Sequence, residues 1–269
     1  MSYVHDQLTL PSIFWQNGTG GALHHDDFWS LVAENVSVYR DDVKMLSEKT
    51  IYLNDGDHFP CDAVLLATGW KPGVEVFNAD LLVRLGLPHR KEIEPHDSKV
   101  KWEKLMLQAD DKICKRFLLL ANPPKHPHKY IETTPYRLYN GIAPLTDDSI
   151  LFMNHITAGN KISAAEAQAM WAVAYFDKRI LLPSAEEQEI EIATWIAWCR
   201  RRYLSNGERG NFAAFDSVPY LDKLLKDIGV TAHLKGWRRD LFEPVRPGDL
   251  GVAWKEYLDG SNDSKLKGI

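Results

Sequence analysis

The feature that most constrains this chain is a nearly unbroken apolar run, Asp62-Ala63-Val64-Leu65-Leu66-Ala67. Strands covered on both faces carry such runs, whereas half-exposed strands alternate. Phe117-Leu118-Leu119-Leu120 and Ile150-Leu151-Phe152-Met153 predict two more buried strands in the same way. Near the first run, Val36, Val38 and Arg40 alternate, Thr50-Ile51-Tyr52-Leu53 is rich in β-formers, and Asn54-Asp55-Gly56 signals a turn. The predicted strands therefore concentrate in residues 31–162, behind an aromatic, loop-rich arm over 1–30 that carries Phe14-Trp15 and Phe28-Trp29.

From 163 to 259 the spacing turns helical. Ser163 with Glu166 predicts a capping box, followed by Ala167, Trp171, Ala174 and Tyr175 on one face. Ser184 with Glu187 predicts a second box. Its helix carries Ile192, Trp195, Ile196, Cys199 and Tyr203 on one face and Arg200-Arg201-Arg202 in the last turn, where cations complement the helix dipole. The stretches Tyr220 to Gly229 and Trp237 to Tyr257 read as shorter helices between Pro-punctuated loops, and 260–269 as a frayed tail. The expected organisation is one domain.

Composition narrows the function classes. With 32 basic against 37 acidic residues and a net charge of −5, the 269-residue chain lacks the basic excess of a dedicated nucleic-acid binder. No apolar run approaches the roughly 18 residues of a membrane span, and Met1 to Leu10 shows no secretory pattern. Cys61, Cys114 and Cys199 form no CxxC, which predicts reduced thiols and a cytoplasmic location.

The segment Cys61 to Trp70 ends its apolar run in Ala67-Thr68-Gly69-Trp70. It resembles the ATG motif of flavin-dependent monooxygenases of the dimethylaniline and Baeyer–Villiger type. Asp148 to Lys178, with Glu166, Gln168 and Trp171, resembles that family's late strand, loop and helix. Thr134 to Tyr139, Arg200 to Tyr203, Phe215 to Leu225 and Asp240 to Phe242 resemble the C-terminal half of fungal-type members. The implied fold class is α/β (α+β), a remnant of a flavin-monooxygenase FAD domain with a helical C-terminal part. One departure stands out. The family's Gly-x-Gly-x-x-Gly units for FAD and NADPH are absent, and Gly18-Thr19-Gly20-Gly21-Ala22-Leu23 lacks the third glycine and the flanking strand.

Candidate site residues follow from this resemblance and from the strand-end rule for α/β folds. Asn154, His155 and Lys161, with Tyr136, are the catalytic candidates. Thr68, Trp70, Arg137, Tyr139, Thr157, Asn160 and Trp171 are the substrate-binding candidates. For most of them a second reading stands beside the first: loop hydrogen bonding for Asn154, His155, Asn160 and Lys161, packing for Tyr136, Arg137 and Tyr139, core for the tryptophans. His126 and His128, around Pro127, lack a third ligand, so no metal is expected.

Three functions are consistent with these residues. The first is a cofactor-independent enzyme cyclising, cycloadding (Diels–Alder type) or isomerising an apolar terpenoid or polyketide in an emptied flavin pocket, by proximity and hydrogen bonding alone. The second is the C-terminal fragment of an FAD- and NADPH-dependent monooxygenase, the one reading that requires FAD. The third is a non-catalytic small-molecule binder. The apolar run at 62–67 needs a cover, for which residues 1–30 or a second copy in a homodimer are the expected sources.

Overall fold

The computed structural model describes residues 25–66, 73–123, 131–204, 206–230, 237–243 and 248–266. The chain separates into two compact units, Met1–Gly73 and Val74–Ile269. The candidates Thr68 and Trp70, the Gly18–Gly21 stretch and the histidines at 126 and 128 lie outside the described residues.

In the first unit, helix α1 (Phe28–Asn35) precedes a three-stranded antiparallel meander of β1 (Val43–Ser47), β2 (Thr50–Leu53) and β3 (His58–Pro60). Ser47 pairs with Thr50 across a two-residue turn in which Lys49 takes φ 54°, the sign that tight hairpins demand. The predicted turn at Asn54-Asp55-Gly56 joins β2 to β3, closed by the Leu53 amide donating to the Asp57 carbonyl at 2.8 Å. Tyr39 stacks on Phe59 at 4.8 Å, and Leu53 is buried.

The second unit is mainly helical. Its elements are α2 (Ala79–Arg84), α3 (His96–Arg116), β4 (Thr157–Ala158), α4 (Lys161–Phe176), α5 (Ala185–Arg202), β5 (Phe212–Ala213), α6 (Ser217–Asp227), α7 (Trp237–Phe242) and α8 (Asp249–Leu266). Asp110 of α3 receives Arg200 at 2.8 Å and Arg201 at 3.0 Å from α5, so two residues of the basic triplet clamp two helices together as well as ending one. The predicted capping box on α5 forms in both directions between Ser184 and Glu187. Helix α4 packs against α6 and α8 around Trp171, Ala174 and Leu224, all inaccessible to solvent. β4 and β5 pair in parallel for two residues, Thr157 with Phe212 and Ala158 with Ala213. Helix α8 continues through Gly260 to Leu266, where the sequence reading places a frayed tail.

The three runs written as buried strands are not strands. Residues 61–66 are irregular, with Leu65 93% and Leu66 75% exposed. Residues 118–120 form a short 3-10 turn that leaves Leu119 94% exposed. Residues 150–153 form no strand, although Phe152 donates its amide to the Ile142 carbonyl at 2.9 Å. A strand exists only where a neighbour takes its amides and carbonyls, and among the described residues no strand does so for these runs. The alternation at 36–40 likewise yields no strand. Helix α4 starts earlier than Ser163: Asn160 is its cap, accepting the Ser163 amide at 3.1 Å, so Ser163 falls in the first turn and Glu166 has no capping role.

Candidate functional site

The predicted loop 154–161 enters α4 from β4, and the structure gives most of its residues a definite task. Asn154 sits at φ 63°, a conformation asparagine tolerates better than most residues, and its amide donates to Gln168 Oε1 at 2.7 Å. The ring of His155 stacks on Tyr136 with centroids 4.3 Å apart. Both its ring nitrogens are hidden from solvent without a described hydrogen-bond partner. Burial alone lowers its pKa to about 4, so the imidazole is neutral at pH 7. Burial also raises the Tyr136 phenol, against the pull of Arg209. Thr157 is held by the β4–β5 pair and Asn160 by its cap, while Lys161 is exposed at the start of α4.

Other predicted residues are absorbed by structure. Arg137 donates to Glu94, reaches Ser98 Oγ at 3.5 Å and lies 4.8 Å over Trp102, a packing and ion-pair role. Burial opposes the charge on Glu94, but the Arg137 guanidinium overrides it and holds that carboxyl below its usual range. Trp171 has no exposure, and its indole N–H donates to Asp227 at 3.2 Å. Tyr139 is buried beside it with ring centroids 6.4 Å apart. The structure thus brings Tyr136 to His155 and Tyr139 to Trp171.

A polar chain that the sequence reading missed links the loop to a cleft. Gln168 Nε2 donates to the Tyr220 hydroxyl at 2.8 Å, and that hydroxyl donates to the Asn140 carbonyl at 2.9 Å. The Asn140 side chain donates to Asp227 at 2.7 Å, and Lys223 lies 3.6 Å from the same carboxylate and 3.1 Å from Glu191. Lys223 also donates to the Tyr139 hydroxyl at 3.3 Å. Burial works against its charge, but the two carboxylates prevail and its pKa is raised. Two signals could have found this chain: the Asn140-Gly141 turn pair, which adopts φ 53° and 64°, and Tyr220, Lys223 and Asp227 recurring at helical spacing along one stripe of α6.

Asn140, Tyr220 and Lys223 line one part of a cleft of about 770 Å³ whose wall is chiefly apolar, well within the size range of small-molecule sites. Trp195, Trp198 and Phe117 supply its aromatic surface. Their donors are spent inward: Trp195 Nε1 on the Gly210 carbonyl at 2.8 Å, Trp198 Nε1 on Asp216 at 3.0 Å. Asp216 also accepts the Tyr203 hydroxyl at 2.5 Å and pairs with Arg202 at 3.1 Å. Burial and this carboxylate push the Tyr203 phenol up to about 12. A second, more polar cleft of about 660 Å³ lies beside Arg137 and Glu94. Among the described residues, no group of three or more His, Cys, Asp or Glu could hold a metal ion, and no helix is long and apolar enough to cross a membrane.

Comparison with known proteins gives one consistent result. The chain is 32% identical to an FAD-dependent monooxygenase of Pyrenophora dematioidea over 236 residues, 85% of this chain and 43% of that protein. It is 31% identical to FAD-dependent monooxygenases of Aspergillus nomiae and Aspergillus sclerotiorum, covering 85% and 97% of this chain but 41% and 47% of theirs. The chain is therefore a relative of fungal FAD-dependent monooxygenases along most of its own length, in keeping with the C-terminal half of such a protein. It spans less than half the length of these relatives. No family model and no solved structure matches it.

FAD needs backbone amides around its pyrophosphate at a glycine turn before a helix. At Gly159, just before α4, an added Cβ would lie 2.5 Å from the Ala214 carbonyl oxygen and 3.2 Å from Ser217 Oγ, so protein already fills that approach. Gly159 donates its amide to Ser217 Oγ at 2.7 Å, and the Ser163 amide goes to Asn160. One hydroxyl remains, the buried Ser163 Oγ, which has no described partner. The described residues do not fit the whole of FAD.

Proposed function

We propose that this chain is the substrate-side half of a flavin-dependent oxygenating enzyme, and that the dinucleotide-binding half lies in polypeptide beyond these 269 residues, joined or separate. One observation carries the reading. Runs with the sequence of doubly covered strands stand exposed, Leu65 and Leu66 in one unit and Leu118 and Leu119 in the other. Side chains chosen for burial on both faces imply a cover, and the relatives are more than twice the matched length. In this reading the cleft lined by Asn140, Tyr220 and Lys223 holds an apolar secondary metabolite of the terpenoid or polyketide kind.

The test is co-expression with the remaining half of the Pyrenophora relative. The expected result is a co-purifying, yellow complex in which amides of 61–66 and 117–121 become protected from hydrogen exchange. Failure of the halves to associate, with unchanged exchange at both runs, would overturn the proposal.

A cofactor-free cyclase or isomerase is the second reading. It is favoured by the lack of any Gly-x-Gly-x-x-Gly in 269 residues together with a preformed apolar cleft. Turnover of a terpenoid or polyketide precursor by colourless protein, without added cofactor, would establish it in place of the first.

A further inference from the structure

The charge distribution around the cleft singles out one class of ligand. Two carboxylates line it, and both are committed: Asp216 to Tyr203, Trp198 and Arg202, and Glu191 to Lys223. Lys223 is likewise balanced by Asp227 and Glu191. Two cations are left over on the last turns of α3. Lys112 and Arg116, one helical turn apart, line the cleft and are exposed, and Arg116 lies 5.3 Å over the Phe117 ring with no ion pair to a carboxylate among the described residues. Between them and α5, the cleft is lined by the rings of Phe117, Trp195 and Trp198, and both indole N–H groups are already used.

We infer that this cleft binds a ring-bearing apolar molecule that carries one acidic group, the rings lying against Phe117, Trp195 and Trp198 and the anion meeting Lys112 and Arg116. Apolar burial supplies affinity, and the paired cations supply the choice of charge. That such a ligand is the substrate rests on the function proposed above; that it binds does not. The isolated chain is sufficient to test binding, whereas flavin retention by combined halves tests the function, so the two can fail separately.

Three probes of one shape separate the contributions: naphthoate, naphthylmethanol and naphthylmethylammonium, titrated calorimetrically into the full chain. Naphthoate should bind about three- to tenfold more tightly than the alcohol, as a partly exposed charge-assisted contact allows, and the ammonium most weakly. High salt should shrink that preference. Combining Lys112→Glu with Arg116→Glu, both exposed positions, should invert the order, with the ammonium tightest. Ile190→Trp, which fills the cleft from a partly exposed position on α5, should weaken all three probes at least tenfold while circular dichroism stays unchanged. Equal binding of the three probes, an unaltered order after charge reversal, or full binding by folded Ile190→Trp would each overturn the assignment.

Discussion

His155 shows how burial converts one side chain into a pH-dependent element. Its pKa is about 4 in the folded chain against an ordinary 6.5, so between those values the unfolded chain binds a proton that the folded one refuses. Stability is full above pH 6.5 and falls as pH drops towards 4, by about 3 kcal/mol for a shift of this size. Replacing His155 with Phe, which preserves the stack on Tyr136, should flatten that acid limb in urea unfolding measured from pH 7 to 4. Gly207 makes a steric prediction. An added Cβ would fall on the Cys199 carbonyl oxygen, whereas at Gly229, φ 74°, it would meet nothing. Gly207→Ala should therefore lower Tm far more than Gly229→Ala, whose cost is the roughly 1 kcal/mol of a left-handed backbone. The sequence marks His155 as a strand-end residue but carries no sign of Tyr136 as its partner, because eighteen intervening residues leave their meeting to tertiary packing.

The helices after residue 160 were legible, since a cap and an apolar stripe are local, whereas α3 (His96–Arg116), inside the span read as strand-rich, was not. Ser184 and Glu187 announce α5, and the stripe through Ile192, Ile196 and Cys199 is buried as its spacing requires. Ser184→Ala should cost about 1 kcal/mol, read as a shift in denaturation midpoint at unchanged m-value. Glu166→Ala should cost almost nothing, because the cap of α4 is Asn160 and Glu166 is exposed. Strands were not legible to the same degree. Apolar composition states that a segment wants covering on both faces, but pairing depends on a neighbour that no window of local sequence contains. Thus Thr50–Leu53, with its turn and hairpin partners close by, forms as written, while 62–66 and 117–120 do not.

At the scale of the molecule, those uncovered runs govern behaviour in solution. Leu119→Lys removes an exposed apolar side chain that supports no core, so chemical stability should change by less than about 0.5 kcal/mol, while light scattering at high concentration should fall. The same variant should weaken association with the dinucleotide-binding half if the proposed cover sits there. The parallel pair of β4 and β5 has a separate consequence. Two residues at 157–158 find partners at 212–213 only after α4 and α5 have been laid down between them. A protease cut in the 178–183 connection would divide that crossover into two pieces, each holding one strand and one helix. Because the pieces still share Gln168–Tyr220 and Trp171–Asp227 hydrogen bonds as well as the strand pair, separately produced fragments should reassemble on mixing, turning this unit into a two-part complementation system.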